Sequence, residues 1–213
     1  MNQPYVSAGE PSADDLTFVF VSDRPCLALC ATVGERWRRG FERLRSHSDL
    51  ARWYAEASVV TVPVRVTEYD LRQARMVREA IYRSAKALIG HGAAGHGDEQ
   101  IINGAAAAPP PVPRMHRGVP SLVAAEPSQA ASALSAVARD AISLFTSRDA
   151  ARLRECASPE CGLLFTDTSR PGRRLWCSSS ACGARARAAA YRQRHSAVGL
   201  NGRRSSSMAG RPS

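Results

Sequence analysis

The amino-acid sequence predicts a helix-rich α+β protein: a multihelical N-terminal domain with a few short strands, followed by a small C-terminal domain built around cysteines. Three observations carry this prediction. Two long segments repeat apolar residues at helical spacing, short runs of β-branched and aromatic residues indicate strands, and four of the six cysteines fall into two close pairs. The 213 residues are enough for one or two domains with a buried core.

We expect four segments along the chain. Residues 1–15 are polar and residues 196–213 are rich in Gly, Ser and Arg, so both are expected to be disordered, the second as a basic tail. Residues 16–147 contain the apolar patterns of the N-terminal domain, and residues 148–195 contain the paired cysteines.

The first part of the N-terminal domain combines strand and short-helix patterns. Residues 16–21 are β-branched and aromatic apart from the leading Leu, which favours a half-buried strand. Ser48 and Asp49 offer an N-cap to a short amphipathic helix. Residues 59–66 favour an extended segment, which Pro63 restricts to a sheet edge.

Two long amphipathic helices follow. The first is expected over residues 68–89, after a capping-box pattern, and the second over residues 127–145, with Pro127 in its first turn. Ser147 then offers a cap to a further short helix. The glycine-rich segment 90–97 and the prolines 109–111 mark loops between the two long helices.

Composition and hydropathy limit the class of protein. The chain is 44% hydrophobic and 23% charged, as in globular proteins, and it contains no apolar run of the roughly 18 to 20 residues that cross a bilayer. The N-terminus lacks the basic start and apolar run of a secretory signal, so we expect a cytoplasmic protein without membrane association. Cysteines in that compartment act as metal ligands, redox thiols or small buried residues before they form disulfides.

The paired cysteines have the spacing of a zinc site. Cys156 and Cys161 are separated by four residues, Cys177 and Cys182 are also separated by four, and fifteen residues lie between the pairs. Four thiolates complete a tetrahedron and leave no open position for a water nucleophile, so the expected site holds one structural zinc ion per chain. The alternative is a set of four buried cysteines without a metal.

The residues between the cysteines indicate a treble-clef-like zinc finger. Residues 158–162 favour a turn with a glycine near the metal. Residues 163–165 and 173–176 are expected to pair as a hairpin, and residues 178–180 to cap a helix that runs from about Ser180 to His195 and bears Cys182 in its first turn. Turn, hairpin and helix follow one another in the order of that fold.

At this point the chain resembles a known family. The C-terminal pattern is similar to the CGNR zinc finger, and the upstream part resembles the ABATE domain that normally precedes it. The resemblance is carried in the finger by Cys156, Cys161, Gly162, Phe165, Asp167, Ser169, Arg170, Arg174, Trp176, Cys177, Ser178, Cys182, Gly183 and Arg185, and upstream by Leu27, Thr32, Leu50, Trp53, residues 74–81 and Asn103.

The resemblance implies a DNA-binding protein, because the family is described as candidate stress-induced transcription regulators, mostly bacterial. The chain departs from the family pattern at three positions. Ala184 replaces the asparagine of the naming motif, and Ala28 and Ala31 stand at the usual acidic and asparagine positions of the N-terminal motif.

Positive charge is concentrated in the C-terminal third. Residues 1–147 contain 15 Arg and 1 Lys against 15 acidic residues, a net charge of +1, whereas residues 148–213 contain 13 Arg against 4 acidic residues, a net charge of +9. Such a block suggests an anionic partner, most often nucleic acid. The candidate DNA-binding residues are Arg173, Arg174, Arg185, Arg187, Arg192 and Arg194.

Two functional hypotheses follow. The first is a zinc-containing DNA-binding transcription regulator, with an N-terminal domain that senses a small-molecule effector or forms a homodimer. The second is a zinc-stabilised protein-interaction module whose arginines are paired with Glu155, Glu160 and Asp167. An enzyme is not expected, because phosphate-loop, nucleophile-elbow and zinc-protease motifs are missing. Cys26 and Cys30, four apart, are interpreted as small buried residues rather than a second metal or redox pair.

Overall fold

The computed structural model describes residues 10–202, which form six α-helices and three two-stranded antiparallel sheets. This architecture confirms the helix-rich α+β class. The helices of the N-terminal domain are α1 (Pro25–Cys30), α2 (His47–Glu56), α3 (Glu68–Leu88), α4 (His96–Ala106) and α5 (Gln129–Thr146), and the C-terminal helix is α6 (Cys182–Gly202).

Helix α3 is the centre of the N-terminal domain and packs against α1, α2, α4 and α5. Its N-terminus is fixed by the predicted capping box: the Thr67 side chain accepts from the Asp70 backbone N–H, and the Asp70 carboxylate accepts from the Thr67 backbone N–H at 2.8 Å. The buried stripe of the helix faces the other four helices. That stripe consists of Leu71, Ala74, Val77, Ala80, Ile81 and Ala85.

Helix α5 lies beside α3 and is rich in small residues, which allow close approach of its neighbours. The hydroxyl of Ser135, fully buried, donates to the backbone oxygen of Ala108 at 2.6 Å and so fixes the end of α4. Asp140 accepts from the Cys26 backbone N–H at 3.0 Å and fixes the start of α1. The helix begins at Gln129 with Ser128 as its N-cap, so Pro127 precedes the first turn instead of lying in it.

Helix α2 begins two residues earlier than predicted. Its N-cap is Ser46 rather than Ser48, because Asp49 then occupies the third position and closes a capping box with Ser46. Ser147 caps a single 3-10 turn, Arg148–Arg152, with its hydroxyl accepting from the Asp149 backbone N–H at 3.2 Å.

The two strand predictions for the N-terminal domain are wrong. Residues 16–21 are not a strand; Phe18 is buried in the main core, whereas Val21 packs against the finger, so the segment bridges two cores instead of pairing. Residues 59–66 are also irregular, although Thr61 forms three hydrogen bonds with the Leu122 backbone. Its N–H and its hydroxyl donate to the Leu122 oxygen at 3.0 and 3.4 Å, and its hydroxyl oxygen accepts from the Leu122 N–H at 2.7 Å.

The strands are β1 (Val33–Gly34), β2 (Phe41–Glu42), β3 (Val112–His116), β4 (Val119–Val123), β5 (Leu153–Glu155) and β6 (Leu164–Thr166), paired in that order. The hairpin β3–β4 turns through Arg117 and Gly118, whose φ angles of 48° and 78° suit a tight turn that matches strand twist. Each strand of this hairpin contains a proline, which is unfavourable inside a β-ladder, so the sequence pattern does not predict the hairpin.

The ends of the described chain are more ordered than predicted. Asp15, in the segment expected to be disordered, forms an ion pair of 2.9 Å with Arg39. Helix α6 continues to Gly202, seven residues beyond His195 and into the expected basic tail. Residues 1–9 and 203–213 of the two terminal segments lie outside the described residues. Among residues 10–202, no helix combines the length and apolar character that crossing a membrane requires.

Candidate metal centre and nucleic-acid interface

The four paired cysteines converge on one point. Their sulfur atoms all lie within 4.8 Å of one another, with 3.6 Å between Cys161 and Cys177 and 3.7 Å between Cys177 and Cys182. A tetrahedral zinc ion with Zn–S bonds of about 2.3 Å separates its sulfur ligands by about 3.8 Å. The donor type, donor number and spacing therefore fit one zinc ion.

Local structure brings each thiol to this point. Cys156 follows β5 directly, and Cys161 closes a turn in which its backbone N–H donates to the Ser158 oxygen at 3.0 Å. Cys177 follows the loop after β6, and Cys182 is the first residue of α6. The turn from Cys156 to Cys161 is called the knuckle below, and the positive φ of Gly162, 66°, turns the chain from it into β6.

The predicted hairpin has a different partner. Strand β6 pairs with β5, so that the hairpin encloses the first cysteine pair, and residues 173–176 form no strand. One backbone hydrogen bond joins residues 173–176 to the segment that follows β5: the Ala157 N–H donates to the Leu175 oxygen at 2.8 Å. Leu153 is the buried first residue of β5. The sequence does not predict this strand, because three residues are too few to show an alternation of apolar and polar side chains.

The thiols affect one another strongly. Hydrogen bonds from Cys161 and Cys177 lower the pKa of Cys156, whereas the contacts of Cys177 with Cys156 and Cys161 raise the pKa of Cys177. Arg185 adds a positive charge, since its Nη2 donates to the Cys182 sulfur at 3.1 Å. The pKa of Cys161 is also raised, so the contacts among the sulfurs favour the thiolate, the form of cysteine that binds zinc, at Cys156.

Asp167 organises the loop that follows β6. Its carboxylate is fully buried and accepts from the Ser169 backbone and hydroxyl at 2.9 and 2.6 Å and from the Arg174 backbone at 2.9 Å. These donors lower the pKa of Asp167 to about 2. Arg152 completes the arrangement by donating to the backbone oxygens of Asp167 and Ser169, both at 2.7 Å.

The six candidate arginines divide into two groups. Arg174 and Arg185 contact the finger itself: Arg174 donates to the backbone oxygens of Trp176 and Cys177 and stacks over the Phe165 ring, and Arg185 contacts a cysteine sulfur. The other four lie away from the cysteines and are exposed, as Arg185 also is, and Arg187 donates to the Ser179 backbone oxygen at 3.1 Å. These four are Arg173, Arg187, Arg192 and Arg194.

Two acidic residues of the finger, Glu155 and Glu160, are engaged by the N-terminal domain. Glu155 forms an ion pair with Lys86 and accepts from the Trp37 indole N–H at 3.0 Å. Glu160 lies 3.4 Å from Arg38. Within residues 10–202, none of the six candidate arginines forms an ion pair with a carboxylate.

The second cysteine pair is separate from this centre. Cys26 and Cys30 are buried in α1 among apolar residues, as interpreted from the sequence. Burial raises the pKa of Cys26 and raises the pKa of Cys30 to about 12, so both remain neutral thiols. Among the described residues, the four finger cysteines form the one cluster with metal-binding geometry.

The helical N-terminal domain and the four-thiol cluster define a zinc-finger protein whose finger is docked on an α-helical domain. Comparison with protein families agrees with this class. Residues 23–148 match the ABATE family model, described as "Putative stress-induced transcription regulator", and residues 152–195 match the CGNR zinc finger. The chain belongs to the ABATE family and carries a CGNR zinc finger. No curated protein matches the sequence.

Proposed function

We propose that this protein is a cytoplasmic, zinc-containing transcription regulator that binds DNA through its finger. One observation carries the proposal: the finger's arginines have no carboxylate partners in the described chain, while the N-terminal domain engages Glu155 and Glu160. The surface that remains is strongly cationic, and a phosphate backbone is the partner that such a surface suits best.

The proposed zinc ligands are Cys156, Cys161, Cys177 and Cys182. The ion would supply folding energy to a segment with a small apolar core and fix the start of α6. Four thiolates leave no position for a reacting water, so we propose no catalytic role for the site.

The proposed DNA contacts are the four exposed arginines that lie away from the cysteines, three on α6 and one on the loop before it. Arg187, Arg192 and Arg194 lie on α6, where alanines between them allow a helix to approach a groove closely. Arg173 lies on the preceding loop and is proposed to contact the phosphate backbone. Arg174 and Arg185 are proposed to act indirectly, by holding the loop and the cluster in place.

The experiment is a titration of the full zinc-loaded chain with duplex DNA, followed by fluorescence anisotropy at several salt concentrations. With about four arginines on phosphates, the logarithm of affinity should fall against the logarithm of salt with a slope of roughly −3 to −4. Arg187→Ala and Arg194→Ala should each reduce the slope by about one. Arg65→Ala is the matched control, because this exposed arginine lies at the α5 N-terminus, away from the finger.

The alternative is a zinc-stabilised protein-interaction module without direct nucleic-acid binding. It is favoured by the docking of the finger on the N-terminal domain through Trp37, Arg38 and Lys86. Absence of DNA binding by a zinc-loaded, folded chain, or binding that survives the arginine substitutions unchanged, would support this alternative. We also propose that the N-terminal domain senses a ligand or forms a homodimer.

A further inference from the structure

A cleft of about 540 Å³ lies on the surface of the finger, between the loop before α6 and the start of that helix. Its volume is within the range of sites that hold a small molecule or a group of that size. Leu175 lines the cleft and is 59% exposed, and the half-buried Trp176 lines it as well. The cleft therefore presents an aliphatic and an aromatic side chain to solvent.

Arg187 of α6 is held at the edge of this cleft. Its Nη2 donates to the backbone oxygen of Ser179, a residue of the lining, at 3.1 Å. The same guanidinium lies close to the Trp176 ring at Gly183: a Cβ atom on Gly183 would be 3.2 Å from Trp176 Cδ1 and 3.3 Å from Arg187 Nη1. A glycine at this position thus lets a cation and an aromatic ring share one face of the helix start.

The charge of the cleft is positive. Arg173 and Arg174 belong to its lining, which contains no carboxylate, and no Asp or Glu follows Asp167 in the sequence. Arg174 directs its hydrogen bonds to backbone oxygens, which leave its charge unneutralised. A ligand that complements the cleft is therefore anionic and also has an apolar surface to cover the exposed leucine.

We propose that this cleft binds one unpaired nucleotide of a DNA strand. The base covers Leu175 and the exposed part of the Trp176 ring. The adjoining phosphates pair with Arg173 and Arg187. The inference rests on the proposed DNA-binding function and adds to it the form of DNA that the finger prefers.

The shape of the cleft is the reason for an unpaired nucleotide. In a duplex, both faces of a base are covered by its stacked neighbours, so only an unstacked base can lay a face against an apolar or aromatic side chain. A simple anion would leave Leu175 uncovered. An uncharged apolar ligand would leave the arginines without a partner.

Paired DNA on either side of that nucleotide has its own contacts. Arg192 and Arg194 are exposed on α6, and Arg194 is about 10 Å farther along the helix axis than Arg187. These arginines can contact phosphates of a flanking duplex while the unpaired nucleotide occupies the cleft. The preferred target is therefore a duplex interrupted by unpaired nucleotides.

The test compares two labelled DNAs by fluorescence anisotropy on the full zinc-loaded chain. Both have the same paired sequence, and one carries a short bulge of unpaired thymidines in the middle of one strand. We expect the bulged DNA to bind about tenfold more tightly, which is the scale of one base stacked on a protein side chain. Because stacking releases no counterions, this ratio should change little as the salt concentration rises.

Substitutions in the cleft should act on the bulged DNA alone. Leu175→Ser should reduce the tenfold preference to about threefold, and Ser179→Leu, which fills the cleft from an exposed position, should abolish it. Affinity for the fully paired DNA should stay the same in both variants. Val119→Ser is the matched control, because it removes an exposed apolar side chain of β4, in the N-terminal domain. Zinc content by native mass spectrometry shows that the finger of each variant is intact.

Equal affinity for the two DNAs, or a preference that survives Ser179→Leu, would overturn the inference and leave the proposed DNA-binding function standing. Thymidine 5′-monophosphate is the remaining probe: if it binds alone as tightly as the bulged DNA, the cleft belongs to a free nucleotide and the inference is overturned as well. Failure of the zinc-loaded chain to bind either DNA would count against the proposed function, and the inference would fall with it.

Discussion

Lys86 of α3 and Glu155 of β5 form a largely buried ion pair that joins the N-terminal helices to the finger. Their side chains are 11% and 15% exposed. The pair is enclosed by Trp37, whose indole N–H donates to Glu155 and whose ring lies 4.9 Å from the Lys86 ammonium. Glu155 directly precedes Cys156, the first of the four cysteines, so the docking of the finger and the position of the metal centre are directly linked.

Removal of one partner of the Lys86–Glu155 pair should destabilise the protein. Lys86→Met leaves the Glu155 carboxylate buried without its cation, and we expect the free energy of unfolding to fall by about 3 kcal/mol. Chemical denaturation measures the change. Lys86→Met combined with Glu155→Leu should recover part of the loss, because two apolar side chains leave no buried charge. A double variant no more stable than the single one would contradict the role of this pair.

The metal content of the chain follows from the thiol cluster. Native mass spectrometry should find one zinc ion per chain, and Cys161→Ser should lose it, whereas Cys26→Ala should retain it because Cys26 is buried in α1, outside the cluster. Folded protein without metal, or loss of zinc in Cys26→Ala, would refute the assignment.

Removal of zinc should affect the two parts of the chain differently. The N-terminal helices have their own apolar core, whereas the finger core contains Phe165 as its one fully buried large side chain. With a chelator, hydrogen exchange should become fast over residues 156–195 while α3 and α5 remain protected. Uniform loss of protection would show that the two parts unfold together.

Gly162→Ala tests the close contact between the knuckle and Trp37. Gly162 has a φ of 66°, and a Cβ atom there would lie 2.9 Å from the Trp37 Nε1. We expect a loss of about 2 kcal/mol in stability, from conformational strain together with displacement of the indole. Gly172→Ala is the control, because φ is 60° but the space is open. Equal losses at both positions would mean that the Trp37 contact contributes nothing.

The Arg83–Asp98 ion pair should make a pH-dependent contribution to the free energy of unfolding. Hydrogen bonds from Arg83 lower the pKa of Asp98 below its ordinary value of 3.8, so the stabilisation is complete above that value and is lost as the pH falls below it. Asp98→Asn should cost about 2 kcal/mol at pH 7 and progressively less below pH 4. Urea denaturation of both proteins from pH 3 to pH 7 measures the difference, which should stay constant above about pH 5.

Arg174 and Arg194 should respond in opposite ways. Arg174 donates to two backbone oxygens beside Cys177 and stacks on Phe165, so Arg174→Ala should destabilise the finger and weaken zinc retention against a chelator. Arg194 is exposed, so Arg194→Ala should reduce DNA affinity and leave zinc retention unchanged. Equal zinc retention in the two variants would show that Arg174 does not support the finger.

Features encoded within a few residues could be predicted from the sequence. The capping box at Thr67, the apolar stripe of α3 and the two cysteine pairs all depend on local spacing, and the structure agrees with them. The pairing of β6 with β5 rather than with residues 173–176 could not be predicted, because both segments offer similar short apolar runs and the choice depends on the core beneath them.

Contacts between residues far apart in the sequence could not be predicted from local patterns either. The sequence suggests Glu155 and Glu160 as partners for the finger's own arginines, yet in the structure they pair with Lys86 and Arg38, more than 60 residues away. Only the folded arrangement of α3 and the β1–β2 turn brings those cations to the knuckle.

The engagement of Glu155 and Glu160 by the N-terminal domain has a kinetic consequence. With these two carboxylates turned toward the helices, the outward electric field of the finger is more positive than its own composition implies. A polyanion should therefore be captured faster by the whole protein than by a finger cut free of its neighbour. The excess in association rate should disappear as added electrolyte shortens the Debye length.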